Sequence, residues 1–425
     1  MRILLLLIIV PSLFFANSIR HLYLTWQKEN TSNNITINIH TTNYIDELDL
    51  FYDEVSKELS HKPYRFHKHT KGSHFFKDRY IYHVELANLT PGKIYYFIVG
   101  NQKDGFINEQ KFKTIPLSYD FLRFVEGGDW ELPSEAEKLC KIAAKYNPDA
   151  ILLGGDYPDE VLSIDDYQKW DKWLDSYSKN MKTTDGLIIP LILGIGNHDV
   201  VGGFNQTPKN APFFFNYFPQ SEKKNESFFL KFFGNDIVLF VLDSGHCYDY
   251  YGKQYDWLKS KLKSYNHKLI KLALYHVPIF PSVRFANENW SYRLIYPLAK
   301  LSHKNIDFSM LVCPQSFYGK KYWLPLFDKY KLTAAFEHHD HTLKRTKPIR
   351  FGMIHPEGTI YLGDGCFSPK IQCTPIQAYL SSYFAKCLGH LQFFWLIDIT
   401  KENIIYRAIS KNNQIIDEYT QKIKR

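Results

Sequence analysis

Five short segments rich in oxygen and imidazole donors occur in one order along the chain: GGDW at Gly127 to Trp130, GGDYPD at Gly154 to Asp159, GNHD at Gly196 to Asp199, YHVP at Tyr275 to Pro278, and EHHDH at Glu337 to His341. Two cations held about 3.5–4 Å apart need one carboxylate that can bridge them, with oxygen and neutral imidazole ligands on either side. These segments supply that set. Asp156 is the natural bridge, Asp129 serves one ion and Asn197 the other, and His276, His339 and His341 bring imidazoles from two further segments, with no cysteine among them. Such a pair generates hydroxide near neutral pH, clamps a phosphate between the ions and stabilises in-line displacement at phosphorus. A single segment would say little, since a GGD is usually a glycine turn before a helix N-cap and a lone histidine is usually a satisfied core residue. The ordered set of five carries the metal reading.

Each segment follows a run of apolar and β-branched residues, such as ILLGGD or LILGIGN, and so reads as a loop leaving the C-terminal end of a buried strand. α/β sheets place their chemistry there. From Phe121 the pattern alternates: LRFVEGGD is a strand, Pro133 to Tyr146 an amphipathic helix, AILLGGD a strand and Ile164 to Lys179 a second helix. SFFLKFFGNDIVLFVLD reads as a β-hairpin, KLIKLALYH and KLTAAFE as buried strands, and FFWLIDIT with IIYRAIS as closing strands. The expected catalytic fold is an α/β four-layer αββα sandwich over residues 120–425, with the metals where loops of both sheets meet. Residues 19–115 differ. LYLTW, ITINIHT, YIYHVEL and KIYYFIVG alternate as short strands with no helical period, which predicts an all-β sandwich joined through IPLSYD.

At these residues the chain resembles the calcineurin-like metallophosphoesterase superfamily and, within it, the purple acid phosphatases, whose motifs are D-x-G, G-D-x-x-Y, G-N-H-D/E, a strand ending in His, and G-H-x-H. The resemblance implies that Asp129, Asp156 and His341 are ligands of a first metal, and Asp156, Asn197, His276 and His339 of a second, with His198 facing the substrate. Arg345 and GTIYLGDG resemble the end of the catalytic domain, and LTPGKIYYFIVG resembles a fibronectin type III-like module that larger plant members carry ahead of it. Three positions depart from the pattern: His338 replaces a glycine, Glu131 stands two after Asp129, and Asp159 stands where the family has a tyrosine. That tyrosine binds ferric iron as a phenolate and gives the family its colour. Its place is taken here by a residue that resembles the Asp of GDYVD in Ser/Thr phosphatases, which orients the GNH histidine. Asp159 is therefore expected to hold His198, a carboxylate beside an imidazole raising its pKa and fixing its tautomer. Glu131 is an alternative carboxylate for the first metal, and the Tyr157 ring is expected to point to the core.

The implied activity is hydrolysis of phosphate monoesters of small molecules or proteins by attack of a metal-bound hydroxide, with His198 and Asp159 assisting and two ions drawn from iron, zinc or manganese. A phosphodiesterase on the same core and a catalytically weak secreted binding glycoprotein are the alternatives. At 425 residues, 23% charged and 45% hydrophobic, the chain has the size and usage of two globular domains. Its formal charge of +8 is spread rather than gathered into a stripe, so no nucleic-acid partner is expected.

Residues 1–18 read as a signal peptide, an apolar run too short to span a membrane that ends in small residues before Ile19. With no anchor or retention sequence at the C-terminus, a secreted or lysosomal/vacuolar location is expected. Cys140, Cys247, Cys313, Cys366, Cys373 and Cys387 allow up to three disulfides. Asn30, Asn34, Asn88, Asn205, Asn225 and Asn289 begin N-x-S/T sequons, Asn88 doubling as a turn residue.

Overall fold

A computed structural model describes residues 18–424 apart from 61, 132, 286–312, 364 and 370–372. The expected leader therefore lies outside the described residues except for Ser18, and the Asn289 sequon lies outside them as well. Ahead of the catalytic part stands an all-β domain. Ile19–Thr25, Asn34–Thr41, Arg79–Ala87 and His74–Phe76 form one antiparallel sheet. A second sheet is built on Glu47–Asp53, which pairs with Phe66–Lys71 on one side and Ile94–Asn101 on the other. Their alternation works as a half-buried strand requires: Ile35, Ile37, Ile39, Leu48, Leu50, Val84, Phe97 and Val99 fill the space between the sheets.

The other face of Asn34–Thr41 is buried too. Its polar residues meet the catalytic part: the His40 ring lies 4.6 Å from that of Tyr217, and His83, across the sheet, lies 3.0 Å from the Asn216 carbonyl. Alternation alone predicts a wet face there; the helix Pro212–Tyr217 covers it instead.

The catalytic part is a four-layer αββα sandwich. One mixed sheet runs Leu191–Leu193, Ala150–Leu153, Phe121–Gly127, Phe393–Thr400, Asn403–Ser410, Ile415–Lys422, and the first three are parallel. The other holds Ile237–Val241, Ile270–Leu274, Ala334–Phe336 and Ile360–Gly363 in parallel at its centre. Phe124, Leu152, Leu239, Leu272, Phe336, Leu362, Trp395 and Ile397 pack between the sheets. Outside the first sheet, Leu139, Ala143, Trp170 and Trp173 come from helices Pro133–Lys145 and Tyr167–Asn180. Outside the second, Leu258, Leu262 and Phe327 come from Lys253–Ser264 and Leu324–Lys329. The second helix starts at Tyr167 rather than Ile164, because Asp166 accepts the N–H groups of Leu162 and Ser163 (2.8 and 3.0 Å) and closes a turn there.

No disulfide joins cysteines among the described residues. Cys140, on the helix Pro133–Lys145, packs in the core outside the first sheet, and Cys366 in the intersheet core. The sequon residue Asn34 is 3% exposed and turns its amide toward the Asn30 carbonyl, while Asn88 has φ 58° in its turn. Among the described residues no helix is long and apolar enough to cross a membrane.

Candidate metal centre

Every candidate side chain leaves the C-terminal end of a strand. Asp129 follows Phe121–Gly127, Asp156 follows Ala150–Leu153, Asn197 and His198 follow Leu191–Leu193, His276 follows Ile270–Leu274, and His339 and His341 follow Ala334–Phe336. Because parallel strands of both sheets end on one side, their loops converge. Asp129, Asp156, His339 and His341 all take left-handed backbone (φ 55°, 57°, 76° and 54°), a conformation that costs a non-glycine residue free energy and persists only where surroundings enforce it.

The enforcing contacts are visible. Asp199 accepts the N–H groups of Asp156, Gly196 and Tyr157 at 2.9, 2.8 and 3.1 Å, tying two loops together; burial and the Asp156 charge push its carboxyl up to about 7. The Asp129 N–H donates to the Gly155 carbonyl (3.0 Å) and that of Trp130 to the Asp156 carbonyl (2.8 Å). Asp340, between the two loop histidines, accepts from Ser282 and Val283 N–H (2.7 and 2.9 Å) and pairs with Arg284 at 2.7 Å, while Arg284 also donates to the His339 carbonyl at 2.6 Å. Ser244 accepts the N–H of Val277 beside His276 at 2.9 Å. Sequence reasoning assigned none of these supports; the Asp in GNHD was the one visible signal, as part of a motif.

The donor atoms gather in three overlapping groups: Asp156, His276 and His339; Asp129, Glu131 and His341; and Glu131, Asp156 and His198, each within 4.8 Å. His276 decides whether they suit a cation. Its Nδ1 lies 3.1 Å from the Gly154 carbonyl, which can only accept, so Nδ1 carries the proton and Nε2 presents a lone pair. That lone pair faces the Asn197 Oδ1 at 3.0 Å, the Asp156 Oδ2 at 3.1 Å and the His339 Nδ1 at 3.1 Å. Acceptor facing acceptor repels, and a cation among them turns the repulsion into coordination. Burial opposes the Asp156 charge, and positive charge at His276 and His198 is what holds its carboxyl well below the usual range, a part that a cation takes when these rings are neutral.

On the other side, His341 Nε2 lies 2.9 Å from Asp129 Oδ1 and 3.6 Å from Glu131 Oε1. Gly365 closes over Asp129, where a Cβ would come within 1.6 Å of Oδ2.

His198 sits at the rim with 24% of its side chain exposed, and its Nδ1 is 3.7 Å from Glu131 Oε1. Burial lowers its pKa, but Asp156, Glu131, Asp129 and Asp199 more than offset this and raise it. Asp159 Oδ1 accepts the N–H of Glu160 at 3.0 Å. Glu131 stands between His198 and His341, 3.7 and 3.6 Å from their ring nitrogens. Tyr157 faces the core, donating to the Leu153 carbonyl at 2.9 Å and packing 5.1 Å from Trp173. Arg345 forks onto Asp417 (2.7 and 3.0 Å) and ties the last strand to the second sheet.

His338 lies directly behind the ligands. Its ring contacts Gly128 and Gly154, where a Cβ would come within 2.4 and 1.9 Å of ring atoms. It bonds Glu126 Oε1 at 2.6 Å and the Tyr275 carbonyl at 3.0 Å. Burial would lower its pKa, but the Glu126 carboxylate raises it to about 9, so the two form a buried ion pair.

Fold and site together define a metallophosphoesterase. Residues 19–114 match the family model for the purple acid phosphatase N-terminal domain, and residues 119–311 that for calcineurin-like phosphoesterases. The chain belongs to the calcineurin-like metallophosphoesterases as a purple acid phosphatase-like protein. It is 22% identical over 315 residues to purple acid phosphatase 15 of Arabidopsis thaliana, covering 67% of this chain and 53% of that protein. With purple acid phosphatase 21 of the same plant it shares 23% over 326 residues, 72% of this chain and 64% of the relative. The chain thus spans between about half and two thirds of these relatives' length. Among solved structures, purple acid phosphatase PPD1 from yellow lupin (Lupinus luteus) superposes with TM-score 0.68 at 15% identity, over 94% of this chain and 73% of that one. PhoD does so with 0.68 at 10%, over 95% and 88%. GAP50, the anchor in the inner membrane complex of Plasmodium, gives 0.50 at 15%, over 72% and 90%. The purple acid phosphatase family uses a dinuclear metal centre, and the donor groups described above are ones that could hold a metal ion.

Proposed function

We propose that this chain is a dinuclear metal-dependent acid phosphatase that hydrolyses phosphate monoesters. The observation that carries the proposal is the His276 lone pair aimed at two oxygens and an imidazole in a buried site. When bound, the two ions supply a nucleophile from water and neutralise phosphate charge. Asp129, Glu131 and His341 would hold the first and Asn197, His276 and His339 the second, with the Asp156 carboxylate available to both. Glu131 thus replaces the family's tyrosinate with a carboxylate, which favours a pair without iron colour, such as zinc or manganese.

His198 meets the phosphoryl group from the solvent side. Its imidazole donates to a phosphoryl oxygen or to the departing alkoxide, and Glu131, 3.7 Å from its Nδ1, helps to orient it. The apolar leader supports passage through the secretory route to an extracellular or lysosomal/vacuolar site. A catalytically weak binding role is the second reading, GAP50 being described as an anchor; the six ligands expected from the sequence, with His198, weigh against it.

Metal analysis of the purified chain, followed by a panel of phosphate mono- and diesters, tests the proposal. Two ions per chain and faster monoester turnover support it. Two ions with diesters preferred would redirect it to a phosphodiesterase, and two ions with no turnover would leave the binding role.

A further inference from the structure

The N-terminal domain carries another group of metal-competent side chains, far along the chain from the catalytic loops. Glu47–Asp53 and Phe66–Lys71 pair antiparallel with Asp49 opposite His69 and Phe51 opposite His67. The period of two puts Glu47, Asp49 and Phe51 with His67, His69 and Lys71 on the outer face, because Leu48 and Leu50 fill the core on the inner one.

On that face two imidazoles converge on one oxygen. His67 Nε2 lies 2.7 Å and His69 Nδ1 2.8 Å from Asp49 Oδ1. The rings are held in place from outside the cluster. His67 stacks on Phe51 with centroids 4.4 Å apart and planes 12° from parallel. The remaining nitrogen of His69, Nε2, faces Glu47 Oε1 at 4.0 Å. At that distance the carboxylate makes no direct hydrogen bond, but its charge favours a proton on Nε2 once Nδ1 is given to a metal. The side chains of His67, His69 and Asp49 remain 47%, 34% and 21% exposed, so an ion reaches them without any rearrangement of the sheet.

We propose that Asp49, His67 and His69 form a transition-metal site, separate from the catalytic pair, that takes Zn²⁺. Two imidazoles and one carboxylate suit zinc or copper and not magnesium or calcium, which prefer all-oxygen shells. Water completes the shell on the open side. In the metal-free cluster each ring donates its N–H to Asp49. On binding, each ring stays neutral and keeps its one proton, which moves to the other nitrogen, for His69 the one facing Glu47, and leaves the lone pair for the ion. Lys71 does not fill the site, being drawn off by Glu47 at 3.3 Å.

The experiment is equilibrium dialysis of the full chain against buffered zinc, with metal analysis, run beside the His67→Gln/His69→Gln double variant. The wild-type chain should hold one zinc more than the variant, and cobalt in place of zinc should give visible absorption bands that the variant lacks. Glu47→Gln should weaken the extra zinc by roughly 10-fold. Phosphate-ester turnover and metal content at the catalytic loops should match in all chains, which keeps this result independent of the proposed activity. Should the double variant fold poorly, Asp49→Asn, which conserves shape, must lose the same zinc. Equal zinc content and equal cobalt spectra in wild type and variants overturn the proposal and leave a surface cluster held by hydrogen bonds alone.

Discussion

At the scale of single residues, chemistry is divided between side chains that hold ions and one that meets the substrate. His198 donates its backbone N–H to Asp156 Oδ1 at 2.7 Å, and its ring lies on the exposed side. His198→Ala should therefore retain both metals while turnover falls roughly 10²–10⁴-fold, as removal of an acid catalyst predicts. Metal loss in proportion to activity would show that the histidine is a ligand. Asp156 differs, since its carboxylate belongs to two of the donor groups. Asp156→Asn should lower metal content and turnover together, and a variant with two ions and most of its activity would refute the bridging role. Glu131 gives a spectroscopic prediction. With Tyr157 packed against Trp173, a chain loaded with ferric iron at the first position should show no phenolate charge-transfer band. A purple band abolished by Tyr157→Phe would mean that the core tyrosine turns outward.

At the scale of elements, the loops are strained turns braced against one another, and His338 is a brace particular to this chain. The family's glycine would leave a gap behind Gly128 and Gly154; here the imidazole fills it and Glu126 supplies its counter-charge. The two glycines and the histidine are thus coupled. Gly154→Ala should destabilise the chain by about 1–3 kcal/mol through overpacking. The same change made in a His338→Gly/Glu126→Gln background, where neither the ring nor a lone buried charge remains, should cost far less. A double-mutant cycle by denaturant unfolding measures the difference, and additive effects would show that the loop accommodates the methyl elsewhere.

At the scale of the molecule, the two domains share one packed junction rather than a linker. Tyr23 donates to the Tyr217 carbonyl at 2.6 Å, and Arg79, fully buried, pairs with Asp171 at 2.5 Å. Histidines 21, 40, 74 and 83 lie in this junction, and burial lowers all four. Burial, with His74 beside it, pushes His83 down to about 4, between the Asn38 amide oxygen and the Asn216 carbonyl, and His40 is the other titratable group that interacts with it. A histidine with a lower pKa folded than unfolded binds its proton first in the unfolded chain. Stability is then intact above about pH 6.5 and falls as pH drops toward 4, by on the order of 3 kcal/mol for His83. Thermal unfolding from pH 7.5 to 4 should show a flatter decline for His83→Gln than for wild type; parallel curves would exclude the junction histidine as the cause. Acid thus works against the junction while the proposed activity uses it, which sets a lower limit to the working pH.

How much was legible beforehand follows from what each signal encodes. Apolar runs ending in GGD, GN or YH specify both a strand and the donor that leaves its end, so the order and types of the ligands could be read without coordinates. The period of two likewise identified the all-β domain before the alternating part. Direction beyond a turn is another matter. It depends on the left-handed backbone at Asp129, Asp156, His339 and His341, and that conformation is imposed by Asp199, Asp340 and carbonyls from other loops. For this reason the place of Glu131 beside His198 could not be read beforehand, and Asp199 escaped notice although it stands inside a recognised motif. The burial of the polar face of Asn34–Thr41 had no local signal either, because the helix that covers it lies far off in sequence. Local patterning determined which groups this chain offers to a metal pair; only tertiary contact decided where they point, because each strained turn is held by partners distant along the chain.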